Sequence, residues 1–107
     1  MTRFYLEITV QLRGATKSTM DELFEPLADA VYDLADVIDA DLGADADSGR
    51  FDFTMAVDAD SEVAALQAGL VAVRSAIHAA GHATPGWEEH FETIQQVVRR
   101  EAALNTV

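Results

Sequence analysis

From Arg3 to Arg13 the chain alternates without a fault, with Phe4, Leu6, Ile8, Val10 and Leu12 on one side and Arg3, Tyr5, Glu7, Thr9, Gln11 and Arg13 on the other. A period of two sustained over this length belongs to a strand, because successive side chains leave a pleated backbone in opposite directions. The pattern also fixes a boundary condition. One face of this strand is apolar and must be covered, so the remaining chain has to supply both neighbouring strands and a covering layer.

The next segments fit that demand. Gly14-Ala15-Thr16-Lys17 reads as a short loop, and Thr19 followed by Glu22 matches a capping box at a helix start. Met20, Leu23, Phe24, Leu27, Val31, Leu34, Ala35 and Ile38 then recur at helical spacing, opposite an acidic stripe of Glu22, Glu25, Asp29, Asp33 and Asp36. Pro26 interrupts the pattern, since a proline inside a helix removes a hydrogen bond and crowds the preceding turn; the expectation is a separate first turn or a bend. Ile38, Ala40 and Leu42 alternate with Asp39 and Asp41, and Phe51, Phe53, Met55 and Val57 alternate with Asp52, Thr54, Ala56 and Asp58. With the small, polar Gly43–Gly49 stretch between them, these two runs predict a hairpin. Asp60 is placed to cap a second helix, with Glu62 in its first turn, Val63, Leu66, Leu70, Val73 and Ile77 as its core line, and Gly81 as its stop.

Residues 91–100 fit two patterns. Phe91, Ile94 and Val98 are helically spaced, yet Ile94 and Val98 with Gln96 between them also share one face of an edge strand. The preceding β-α-β-β-α order decides for the strand, because one more strand beside the first closes the layer. The whole chain then resembles the ferredoxin-like α/β plait, an α+β fold of βαββαβ order with an antiparallel sheet and both helices on one face. The resemblance covers about residues 3–101 of a single 1–107 domain and is architectural, since this fold hosts many unrelated functions. It implies a homodimer formed through the uncovered sheet face or a sheet edge. Small plait dimers include cofactor-free oxygenases and isomerases with a cleft between sheet and helices, and that likeness would place His78, His82, Trp87 and His90 around such a cleft.

Charge narrows the partners. Against 7 basic residues stand 19 acidic ones, for a net charge of −12, and residues 18–62 alone carry −13. Such a field repels phosphate backbones and attracts basic proteins or cations. The Gly49-Arg50-Phe51-Asp52-Phe53-Thr54 stretch differs from the third-strand motif of RNA-recognition modules, because Asp52 would lie beside any stacked base. No nucleic acid and no membrane are expected as partners, and a basic protein is. The chain has no Cys, and its N-terminus runs straight into the alternating strand without an apolar leader, so the expected location is the cytoplasm.

Catalytic signatures are sparse. No glycine-rich phosphate loop or recognisable nucleophile triad occurs, and the single lysine, Lys17, lies in a polar loop. The run Asp39, Asp41, Asp45, Asp47 fails as a calcium loop: counting from Asp41, position 3 is Gly43 and position 6 is Ala46. His78 and His82, four apart at a helix end, with His90 past the Thr84-Pro85-Gly86 turn, form a candidate divalent-metal site. No other cofactor is expected. The interface candidates are Tyr5, Thr9, Gln11 and Thr54 on the outer sheet face, together with Ala64, Ala68 and Ala72 in a low-charge stripe on the second helix. The leading expectation is a non-enzymatic protein acting by association, and the competing one is a small-molecule or metal site around the histidines.

Overall fold

The computed structural model describes residues 1–81 and 91–100. The elements run β1 (Thr2–Leu12), α1 (Lys17–Tyr32), β2 (Ile38–Asp45), β3 (Arg50–Ala59), α2 (Glu62–Ala80) and β4 (Phe91–Arg100). The strands pair antiparallel in the order β2-β3-β1-β4, so β1 and β3 lie at the centre with β2 and β4 as edges. This is the ferredoxin-like plait, with residues 91–100 as the fourth strand. Phe4, Leu6, Ile8, Val10 and Leu12 are all buried beneath the helices, as the alternation requires. Phe51 and Phe53 of β3 lie fully buried beside them.

The structure moves both helix starts. The first helix begins at Lys17, where the Thr16 hydroxyl accepts from the Thr19 amide at 3.1 Å and the Thr19 hydroxyl accepts from the Thr16 amide at 2.8 Å. Threonine thus takes the reciprocal role expected of Glu22, three residues earlier in the chain. Ser61 rather than Asp60 caps α2, its hydroxyl accepting from the Ala64 amide at 3.1 Å. Pro26 does not divide α1. The helix runs through it from Lys17 to Tyr32, leaving the Glu22 carbonyl without its helical donor. It then ends well short of Ile38, which belongs to β2.

Helix α2 sits on the sheet by a different line from the expected one. Val73 and Ile77 are buried, but Val63 is 66% exposed, and the other contact residues are Ala65, Gly69, Ala72, Ala76 and Ala80. A Cβ added at Gly69 would lie 2.9 Å from Leu6 Cδ2 and 3.2 Å from Ile8 Cδ1, so the helix backbone rests almost directly on β1. Ala72 is therefore a core residue and leaves the set of interface candidates, and Ala68 packs half-buried at the margin of the core. By length and composition α2 could span a membrane; 39% of that stretch is buried within the fold.

Two irregularities re-phase the edge strands. In β2 the register slips between Ile38 and Asp41, and Asp39 takes φ = 50°, a left-handed conformation that aspartate tolerates better than most residues. Ile38 consequently pairs with Ala56 on the outer face instead of pointing into the core. In β4 a bulge falls at Ile94: Thr9 faces Gln95 while Val10 faces Thr93, so Ile94 and Val98 do not follow the common alternation expected of them. At the β2–β3 turn, Gly49 has φ = 73°, and a Cβ there would lie 3.0 Å from the Ala15 Cβ, so both conformation and space select glycine.

Candidate docking face

The ladder registers lay out the uncovered sheet face as rows crossing all four strands. One central row reads Ile38, Ala56, Tyr5, Arg99, and the next reads Asp41, Thr54, Glu7, Val97. Beyond them lie Gly43, Asp52, Thr9, Gln95 and then Asp45, Arg50, Gln11, Glu92. The two polar rows are largely committed within the fold. The Thr9 hydroxyl donates to Asp52 Oδ1 at 2.6 Å, and Gln11 Nε2 donates to the Ser48 carbonyl at 2.7 Å. At the other end, Arg3 holds Asp58 through two bonds of 2.9 and 3.2 Å. The guanidinium favours the ionised carboxylate and keeps the Asp58 acid below its ordinary range.

The central rows differ. They frame an open hollow of about 300 Å³ lined by Tyr5, Glu7, Asp39, Thr54, Ala56, Val97 and Arg99, with Leu6 and Met55 beneath. Ala56 is only 3% exposed although no layer of the described chain covers this face, because larger neighbours close over it. Tyr5 is 46% exposed and forms one wall. Carboxylates gather toward the β2 side, where Asp41 also accepts from the Tyr32 hydroxyl at 3.1 Å and thereby raises that phenol's pKa. Arg99 stands opposite, on β4. The centre is thus apolar, its rim polar, and its β2 side acidic.

A second concave region separates the helices. Asp21, Glu22, Glu25 and Asp29 of α1 and its C-cap Asp33 line a groove of about 630 Å³ whose other wall includes Ala79 and Ala80 of α2. These carboxylates are all exposed. A third groove of about 420 Å³ opens between α2 and β4, with Val10, Leu70, Val73, Ile77 and Phe91 in its lining beside the polar Arg74, Thr93 and Gln96.

The candidate residues fare unequally. Tyr5 and Thr54 line the central hollow; Thr9 and Gln11 share its face with their polar ends engaged; Ala64 is exposed on α2. His78 is exposed in the last turn of α2, an ordinary favourable place for a cation beside a helix dipole. His82, Trp87 and His90 lie outside the described residues. Among the described residues, no group of three His, Cys, Asp or Glu side chains is placed to hold a metal ion. Of the residues lining the hollow, sequence reasoning missed Asp39, beside which the β2 register slips, and Val97 and Arg99, which their alternation with Gln96 and Val98 could have placed on this face. No protein-family model, curated protein or solved structure matches this chain.

Proposed function

We infer that the protein works by association, its uncovered sheet face docking a segment of another protein that has an apolar centre and a basic flank. The observation behind this reading is the hollow itself. Tyr5 and Val97, with Ala56 at its floor, make the middle of this hollow apolar on a face where antiparallel sheets ordinarily present polar residues to water. Glu7, Asp39 and Asp41 supply the complementary charge for the basic flank.

The acidic groove beside α1 is the built-in control, since it would attract any cation without shape. Titrating the full chain with a short peptide of alternating lysine and leucine, followed by amide NMR shifts, separates the two. Shifts concentrated at Tyr5, Thr54, Ala56 and Val97, and lost in Ala56→Arg while the α1 amides stay silent, are the expected result. Shifts confined to Asp21–Asp33 would reduce the association to unspecific charge attraction and sink the reading.

A further inference from the structure

The two edges of the sheet differ in a way that selects a partner for one of them. β2 carries Asp39, Asp41 and Asp45 and no basic residue, so pairing with a second β2 brings carboxylates together whatever the register. Like-charged side chains are ordinary protection for an exposed edge, and since both edge strands carry an irregularity, it is their charge that distinguishes them. β4 has Glu92 near one end and Arg99 and Arg100 at the other, so an antiparallel copy of itself brings unlike charges together. Among the described residues no strand lies beyond it.

We propose that β4 pairs with β4 of a second copy of this chain about a two-fold axis at Gln96, joining two four-stranded sheets into one continuous sheet. The register follows from the bulge. On β4, Phe91, Thr93, Gln96, Val98 and Arg100 lie opposite core-facing residues of β1, whereas Glu92, Gln95, Val97 and Arg99 lie opposite its outward-facing residues. In a regular strand Glu92 and Arg99, seven positions apart, would fall on opposite faces. The extra residue at Ile94 places both on the outer face.

With Gln96 against the partner's Gln96, Val97 meets the partner's Gln95 on the outer face. Past the partner's Ile94 the register shifts by one, as it does against β1. Val98 then faces the partner's Thr93, Arg99 faces the partner's Glu92, and Arg100 faces the partner's Phe91. Every pair shares a face, and the symmetry makes two Arg–Glu pairs. The bulge is accommodated here as it is against β1, by one unpaired residue at Ile94 on each copy, and what selects a second copy is the pairing of Arg99 with Glu92 that it makes possible. The same association sets α2 of both copies along the joined β4 strands and closes the outer side of the mixed polar and apolar groove between α2 and β4.

The edge shares Val97 and Arg99 with the rim of the hollow, so a variant on β3, away from the edge, is needed to separate this inference from the docking reading. The inference is tested by native mass spectrometry and sedimentation of the full chain with charge-reversed variants. The wild type should be a dimer, Glu92→Arg and Arg99→Glu should each weaken it by roughly tenfold or more, and the double reversal should restore it. Circular dichroism verifies that each variant remains folded. Ala56→Arg, which blocks the hollow, should leave the dimer unchanged. A protein that stays monomeric at several hundred micromolar overturns the proposal, as does a dimer indifferent to both single reversals. A dimer abolished by Ala56→Arg would also overturn it, because the copies would then meet face to face.

Discussion

Helix α1 lowers Met20, Leu23, Leu27 and Val31 onto the sheet and turns Asp21, Glu25, Asp29 and Asp33 to solvent. Helix α2 lowers Ala65, Gly69, Ala72, Ala76 and Ala80 with Val73 and Ile77, and leaves Val63 and Val71 66% and 63% exposed. The two helices cover one sheet with different materials. Large side chains hold α1 away from the strands and fill the gap themselves; small ones let the α2 backbone close on β1 until Gly69 meets Leu6. The comparison separates hydrophobicity from proximity, because close approach favours the smallest residue even when larger apolar ones are available on the neighbouring face.

The largest effect should come from the side that depends on bulk. Leu27 is fully buried and reaches into the space between α1 and the sheet. Leu27→Ala should cost about 2–5 kcal/mol, the lost transfer energy together with the cavity left behind. For a small domain whose stability is of order 5–15 kcal/mol, urea unfolding would register this plainly. A loss below about 1 kcal/mol would mean that α1 settles into the gap, and the contrast between the helices would be one of degree.

A paired substitution on α2 sharpens the contrast. Gly69→Val adds volume where a single Cβ already falls 2.9 Å from Leu6 Cδ2, and overpacking of this kind costs about 1–3 kcal/mol. Val71→Ser removes apolar bulk from an exposed position, and surface changes away from special features usually stay within about 0.5 kcal/mol. The expected order in denaturant midpoint is therefore Gly69→Val well below wild type and Val71→Ser close to it. The reverse order would mean that the face carrying Val71, and not the one carrying Gly69, meets the sheet.

The same contrast explains which parts of the fold are legible in the sequence. Strands β1 and β3 carry large apolar residues at every second position, and α1 carries them at helical spacing against acids, so two faces of opposite character define each element. On α2 both faces are apolar or small. Ala64, Ala68 and Ala79 differ from Ala65, Ala76 and Ala80 only in rotation about the axis, and size alone misled the assignment of the buried line. The docking face was half legible for a related reason. Tyr5 and Thr54 follow from the clean alternation of the central strands, and Val97 and Arg99 from their alternation with Val98, whereas Asp39 depends on a slip in β2 and the outward placement of Glu92 on a bulge at Ile94. Such irregularities are settled by pairing between distant segments, and the local pattern carries no mark of them.

The smallest of these effects tests the outward side of α1. Asp21, Glu25, Asp29 and Asp33 follow at four-residue intervals, the spacing at which helical side chains are neighbours, and like charges so placed cost about 0.2–0.5 kcal/mol per pair. The last turn has no basic residue, so Asp29 and Asp33 also oppose the negative end of the helix dipole. Asp29→Lys turns two repulsive neighbours into attractive ones and reverses the unfavourable end charge, with no buried group disturbed. It should stabilise the fold by about 1 kcal/mol at low ionic strength. Salt should raise the melting temperature of the wild type and narrow the gap to the variant, because exposed charges are screened beyond about 10 Å at 0.1 M. A gain that persists undiminished in high salt would point to a packing contribution from the lysine stem. An absence of any gain would show that the α1 carboxylates are already neutralised, and α1 would then differ from α2 only in the size of the side chains it buries.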